Sequence, residues 1–192
     1  MFEIFEKYLS ERITLGLEDI NLIRRLSIEK KIAKRQFILR EGASADYTNF
    51  VVKGLLRLYR TDLSGEEYIL KFASENHWIN DRQSYLTGLA AVANIEAIEN
   101  SAVLSWKKTD FDYLLNEIPC FKQMMKDLSA KNQVANQDRV YNAISLSSEE
   151  KYNLFIEKNA AISNRIPLHM IASYLGVTRE TLSRVRRQSV GK

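Results

Sequence analysis

Apolar and small residues recur at helical spacing between Pro167 and Gln188, and they predict two short helices that pack against each other. Seven positions carry the pattern: Ile171, Ala172, Leu175, Gly176, Val177, Leu182 and Val185. Repeats at three and four residues place an apolar stripe on each helix, and the central glycine separates the two stripes. The pattern therefore predicts a helix-turn-helix near the end of the sequence.

Capping residues mark the ends of these two helices. Pro167 suits the first turn of the leading helix, Gly176 permits the left-handed backbone that ends it, and the Thr178 hydroxyl can cap the second helix. In the second helix Leu182 and Val185 point inward. The outer face then contains Arg179, Glu180, Ser183, Arg184 and Arg187.

Residues 28 to 107 contain short apolar runs separated by turn residues. The predicted strands cover residues 37–39, 50–52, 55–59, 68–72, 94–99 and 102–106, with a hairpin turn at 62–65. Many short strands of this kind indicate an antiparallel sandwich or roll. Helical spacing within residues 2–26 predicts helices that pack on this roll.

Helical spacing returns at Thr109, and beyond Pro119 it predicts a long helix from about Phe121 to Ile144. Near a heptad seam lie Phe121, Met125, Leu128 and Ala135, with Asn132 in the polar position between them. Such a seam suits a coiled coil, and the alternative is a helix packed only on its own roll. Serine and two glutamates at 148–150 predict one more helix before the helix-turn-helix.

The outer face of the second helix of the motif has the chemistry that reads a major groove. Arginine can bind guanine O6 and N7, glutamate can accept from cytosine N4, and a helix N-terminus favours phosphate. The alternative is a surface helix on which Glu180 and Arg184 form a solvated ion pair. We predict DNA recognition because the basic face directly follows the apolar pattern. Base contacts are assigned to Arg179, Glu180 and Arg184, and phosphate contacts to Arg186, Arg187 and Lys192.

The charge of the chain is unevenly distributed. The formal net charge is +4. From Lys151 onward there are eight Lys or Arg residues and two acids, an excess of six positive charges, so residues 1–150 carry −2. A basic segment that follows a mildly acidic one indicates that the last forty residues bind a polyanion.

Composition excludes several other classes of protein. With 192 residues, 45% apolar and 27% charged, the chain can form one domain and a smaller second one. No apolar run approaches the roughly 20 residues of a membrane-spanning helix, and the N-terminus does not resemble a signal peptide, so we expect a cytoplasmic protein. Cys120, His77 and His169 are too few for a disulfide, a metal cluster or a catalytic set. We therefore expect no enzyme activity, no metal and no cofactor.

The segment Arg179-Glu180-Thr181-Leu182-Ser183-Arg184 resembles the recognition-helix core of the Crp/Fnr bacterial transcription regulators. The longer string IASYLGVTRETLSRVRR is similar to one branch of that family. The resemblance implies an α+β fold with three parts: an antiparallel β-roll like that of cyclic-nucleotide-binding proteins (a jelly roll), a long helix that pairs with its two-fold mate in a homodimer, and a C-terminal winged-helix-type helix-turn-helix. The expected boundaries are residues 1–118, 119–145 and 146–192. The expected function is the binding of double-stranded DNA at a two-fold-related operator, with RNA polymerase as a further candidate partner.

The resemblance fails at the nucleotide pocket. Sensing members have Gly-Glu for the ribose and Arg-Ser/Thr-Ala for the cyclic phosphate, whereas this sequence has Asn80-Asp81 and Ala91-Val92-Ala93. Loss of the arginine removes the main charge-assisted contact to the phosphate, so we expect no response to cyclic AMP. A pocket for an unknown effector is assigned to Asp81, Arg82 and Tyr85, and the alternative is that Arg82 lies on an exposed turn. A second hypothesis for the whole chain is a small-ligand-binding roll whose basic tail serves a partner other than DNA.

Overall fold

The computed structural model describes residues 1–190, and it has eight strands and eight α-helices in that part of the chain. Two helices come first, Phe2–Ser10 (α1) and Leu17–Leu26 (α2). The strands are Ile28–Ile32 (β1), Phe37–Leu39 (β2), Tyr47–Lys53 (β3), Leu56–Thr61 (β4), Glu67–Ala73 (β5), Trp78–Ile79 (β6), Asn94–Ala97 (β7) and Ser101–Lys107 (β8), with Arg82–Thr87 (α3) between β6 and β7. The remaining helices are Lys108–Glu117 (α4), Pro119–Ser145 (α5), Ser148–Lys158 (α6), Leu168–Leu175 (α7) and Arg179–Val190 (α8), with a 3₁₀ turn at Ser163–Arg165.

The strands form two four-stranded sheets, with orders β1-β8-β3-β6 and β2-β7-β4-β5. The paired strands whose register is resolved are antiparallel, for example Asn49 opposite Ser105 in β3 and β8. This arrangement is the antiparallel roll that the short strands predict. Sequence patterns identified six of the eight strands. They missed β1, which is largely polar, and β6, which has only two residues.

Strands β3 and β8 are buried on both faces because two layers of core flank their sheet. Val51 and Val103 pack in the core of the roll with residues such as Ile95. The neighbouring Phe50 and Trp106 point to the opposite face. There they pack with buried side chains of the helices, namely Phe2, Phe5, Leu9, Ile23, Phe111, Leu114 and Phe121. The N-terminal helices therefore cover the roll, as their spacing predicts.

The first part of α5 contributes to this core. Phe121 is fully buried, and Met125 and Leu128, which are partly buried, pack against the same cluster. The core of the first unit therefore covers Phe121 completely and the other two side chains in part. The large apolar side chains that α5 exposes lie further along: Val134, Val140, Tyr141 and Ile144. The predicted pairing of residues 121–144 with a second copy of this helix stays a prediction.

The contacts divide the chain into two compact units. The first comprises residues 1–60 and 71–130, and the second comprises residues 61–70 and the chain from Lys131 onward. In the second unit, residues 146–190 form helices and one 3₁₀ turn without a strand, so the wing of the expected winged-helix type is not formed by those residues. Within residues 1–190, no helix has the length and apolar content that a membrane crossing needs.

Candidate nucleic-acid interface

Helices α7 and α8 are joined by a short turn that has the predicted caps. Gly176 ends α7 in the left-handed region, with φ of +67°, which a glycine adopts without strain. The Thr178 hydroxyl accepts a hydrogen bond from the Thr181 amide at 3.2 Å, which caps the first turn of α8. Pro167 lies one position before α7 rather than within its first turn.

Buried side chains fix which face of α8 remains outside. Leu182 and Val185 are buried, as are Ile171 and Ala172 on α7, and both helices contact α6. Helix α6 begins with a capping box, in which the Ser147 hydroxyl and the Glu150 carboxylate each accept a backbone N–H of the other residue. Three helices therefore share one small core, and the orientation of α8 follows from it.

The opposite face of α8 presents charged groups that the described residues do not neutralise. Arg179, Glu180 and Arg184 are exposed, and Ser183 is half-buried beside them. Within residues 1–190 no ion pair joins Glu180 to Arg184, although their spacing allows one. Arg186 and Arg187 are exposed toward the C-terminal end of the helix, whereas Lys192 lies outside the residues that the structure describes. The site residues predicted from sequence are thus brought together on one helix.

The second unit also contains a contact that sequence patterns did not indicate. The Ser173 hydroxyl of α7 donates to the Glu67 carbonyl at 2.6 Å and accepts from the Ile69 amide at 3.0 Å. The Arg139 guanidinium of α5 donates to the carbonyls of Ile69, Leu70 and Tyr174. Strand β5 is an edge strand of its sheet, so these two side chains satisfy backbone groups that would otherwise lie open.

Among the described residues, no carboxylate pairs with the guanidinium of Arg139. Its guanidinium lies 4.1 Å from the centre of the Tyr174 ring, and burial lowers the pKa of the arginine from its ordinary value. No local signal marks Arg139 in the sequence, because its partners are 35 to 70 residues away.

The three residues assigned to an effector pocket all lie at α3, but they have different surroundings. Asp81 is buried, and its carboxylate accepts hydrogen bonds from the Ser84 amide at 3.3 Å and the Val92 amide at 2.9 Å. Arg82 is exposed and donates to the Ser129 hydroxyl on α5 at 2.8 Å. Both charged groups are therefore engaged by the protein itself.

Tyr85 is the third of these residues. Its hydroxyl is buried without a hydrogen-bond partner among the described residues. Burial, followed by the charge of Asp112, raises the pKa of this hydroxyl above its ordinary range. An uncharged phenol at this position can donate a hydrogen bond and does not supply a cation.

The segment that corresponds to the phosphate-binding motif is packed into the roll. Ala91 is 3% exposed and belongs to the core between the sheets. Its amide donates to the Ala43 carbonyl, and its carbonyl accepts from the Gly42 amide, each at 2.8 Å. Among the described residues, no three His, Cys, Asp or Glu side chains come together as a metal site.

Comparison with known proteins defines the fold of these regions. Residues 29–117 match the cyclic nucleotide-binding domain family. A search of curated proteins found no match. Among solved structures, the chain is similar to the c-di-GMP-responsive global regulator CLP of Xanthomonas campestris, with a TM-score of 0.75, 12% identity, and coverage of 92% of this chain and 93% of that one.

Two further structures give the same result. FixK2 from Bradyrhizobium japonicum has a TM-score of 0.73 and 21% identity over 84% of this chain and 83% of that one. A transcriptional regulator of the Crp/Fnr family from Eubacterium rectale has a TM-score of 0.74 and 17% identity over 95% and 87%. The chain therefore has the α+β fold of the Crp/Fnr transcription regulators, with a roll of the cyclic-nucleotide-binding type. The resemblance seen in the sequence is therefore confirmed at the level of the fold.

Proposed function

We propose that this protein is a transcription regulator that binds a two-fold-related DNA operator as a homodimer and does not respond to cyclic AMP. The observation that carries the proposal is the outer face of α8, where Arg179, Glu180 and Arg184 are exposed and form no ion pair within residues 1–190. Exposed charged side chains that form no ion pair contribute little to the stability of the fold. A polyanion that carries hydrogen-bonding base edges supplies the missing partners.

The position of each side chain along α8 assigns its role. The N-terminal turns of a recognition helix enter the major groove, so Arg179, Glu180 and Arg184 are proposed to contact bases, with Thr178 and Ser183 beside them. Arg186 and Arg187 lie nearer the C-terminal end and are proposed to contact phosphates, as is Lys192 from the sequence. Arg187 shares the face of Arg179 but lies two turns further along, so it can approach the edge of the groove.

The second half of α5 supports the proposal of a homodimer. Val134 is 57% exposed, Tyr141 69% and Ile144 83%. Their spacing of seven and three residues places all three on one side of the helix, as in a heptad seam. A second copy of the same helix would cover this apolar stripe, and the dimer would present two α8 helices to two half-sites.

The filled roll supports independence from cyclic AMP. Ala91 takes the place of the phosphate-binding arginine and is packed in the core, and Asp81 already accepts two backbone hydrogen bonds. A cyclic phosphate entering this region would be desolvated without a cation to compensate its charge. As a bacterial transcription regulator, the protein would act in the cytoplasm. RNA polymerase would be a further partner.

Selection of bound sequences from random duplex DNA by the full chain tests the proposal. We expect enrichment of an inverted repeat whose half-site centres lie about 10 base pairs, or a multiple of that, apart. The Arg179→Ala/Arg184→Ala double variant should fail to enrich that repeat. Enrichment of no sequence at low salt would refute DNA reading and favour the ligand-binding hypothesis. Enrichment of a single, non-repeated site would refute the two-fold arrangement.

A further inference from the structure

A cavity of about 480 Å³ lies within the second compact unit, away from the outer face of α8. Its walls come from residues 68–70 of β5, the second half of α5, and helices α6 and α7. Cavities of roughly 300–1,000 Å³ are the size that small organic ligands occupy in proteins. The cavity is therefore large enough for a ligand and is formed by elements that are distant in sequence.

Apolar side chains form most of the wall of this cavity. Leu70, Leu154, Phe155 and Leu175 contribute aliphatic and aromatic surface, and the Tyr174 ring lies beside them. Phe155 and Tyr174 contact each other with ring centres 5.5 Å apart. Burial of apolar surface against such walls is favourable because it removes that surface from water. An occupant of this cavity would therefore have an apolar body.

The charged groups of the wall are mainly positive. Arg139, Lys151 and Lys158 line the cavity, against the single acid Asp138. Among the described residues, neither lysine ammonium forms an ion pair or a hydrogen bond, and the guanidinium of Arg139 contacts backbone carbonyls and an aromatic ring. A partly enclosed excess of positive charge attracts an anionic group and repels a cationic one.

We propose that this cavity binds a small amphipathic carboxylate, with its apolar body against Leu154 and Phe155. Its carboxylate is attracted by the three cations of the wall, Arg139, Lys151 and Lys158. The largely apolar wall favours this class over a nucleotide, whose sugar and phosphates would leave most of that surface unused. The cavity side of α5, which includes Ala135 and Arg139, lies across the helix from Tyr141. Pairing through the exposed stripe of α5 would therefore leave the cavity accessible.

Three probes with one apolar body and different head groups test the proposal: 4-phenylbutyrate, 4-phenylbutan-1-ol and 4-phenylbutylamine. Calorimetric titration of the full chain should give saturable binding of the carboxylate with a Kd below about 1 mM. It should bind about tenfold more tightly than the alcohol, with the amine weakest, because only the anion gains charge-assisted hydrogen bonds. The measurement requires no DNA, so its failure is distinct from failure of the proposed function.

Two variants locate the site. Lys151→Gln and Lys158→Gln should each weaken 4-phenylbutyrate about three- to tenfold and leave the affinity for the alcohol unchanged. Lys131→Gln is the control, because Lys131 lies at an exposed position of α5 outside the cavity wall. It removes the same charge and should leave the affinities for the carboxylate and the alcohol unchanged. The absence of saturable binding by all three probes would overturn the proposal. Equal affinity for the three, or unchanged binding of the carboxylate in both cavity variants, would also overturn it.

Discussion

Two buried polar contacts of the first compact unit contrast with two exposed surfaces of the second. In the first unit, the buried carboxylate of Asp81 accepts hydrogen bonds from two backbone amides. Arg57 and Glu96, on neighbouring strands, form an ion pair with a nitrogen–oxygen distance of 2.6 Å. In the second unit, the arginines of α8 and the apolar stripe of α5 remain exposed. Groups satisfied within the chain stabilise the fold, whereas exposed groups of matching chemistry are available to partners. The difference indicates where substitutions should cost stability and where they should cost binding.

A substitution in the exposed apolar stripe of α5 should have the largest effect on operator affinity. Tyr141→Asp puts a charge in the proposed two-fold seam, so we expect monomers and a loss of operator affinity of more than about 100-fold, because one half-site is lost. Sedimentation and DNA binding measure the two effects. Asn132→Asp, on the opposite side of the helix, should remain dimeric. Leu128→Asp should instead reduce stability, because Leu128 packs on the roll. A parent protein that is monomeric at micromolar concentration would contradict the dimer.

In the first unit, Asp81→Ala should lower the free energy of unfolding by about 2–4 kcal/mol. The substitution removes a helix cap and leaves the amides of Ser84 and Val92 without their acceptor. Denaturant unfolding measures the change, and the folded variant should bind operator normally. Glu18→Ala, which removes an exposed acid, should cost no more than about 0.5 kcal/mol. If Asp81→Ala were as stable as Glu18→Ala, the contrast between the units would fail at this residue.

On α8, a substitution should lower the affinity for DNA and leave stability unchanged, which is the opposite of the result expected for Asp81→Ala. Arg184→Ala should cost about 1–3 kcal/mol of operator affinity per half-site and relax preference at one symmetric position, with stability unchanged. Arg82→Ala provides a control, because it removes the same charge from α3 and should leave operator affinity unchanged. Affinities for selected and scrambled duplexes give the measurement. Equal weakening of both duplexes by Arg184→Ala would make Arg184 a phosphate contact rather than a base contact.

A smaller effect is expected at the C-terminal end of α8. Arg186→Ala should weaken all sequences alike and reduce the slope of log affinity against log salt by about one for each phosphate that the arginine no longer neutralises. Binding measured between low and moderate salt gives this slope, and Lys192→Ala should behave in the same way. A change in sequence preference without a change in slope would assign Arg186 to base reading.

The smallest expected response is that of the roll to cyclic AMP. Because Ala91 is packed in the core and offers no cation, millimolar cyclic AMP should not shift the melting temperature or the operator affinity. The probe 4-phenylbutyrate provides a comparison in the same assay, since its proposed site lies in the other unit. A saturable micromolar response to cyclic AMP would contradict the assignment.

The amino-acid sequence by itself determined the features that rest on neighbouring residues. The turn at Gly176, the cap at Thr178 and the hairpin at residues 62–65 each depend on the conformational preference or hydrogen bonds of a few adjacent positions. The outer face of α8 was predicted for the same reason, since burial of Leu182 and Val185 fixes the opposite side of a regular helix.

Only the tertiary structure decided which surfaces cover one another. Periodicity showed that α5 is apolar at Phe121 and Leu128, but only the structure showed that Phe121 is buried in the core of the first unit and that Leu128 packs partly against it. Arg139 and Ser173 find backbone partners in β5 that lie 69 to 106 residues away along the chain. Local pattern specifies the shape and polarity of a helix face. The neighbour that the face meets depends on long-range packing, which sequence spacing does not encode.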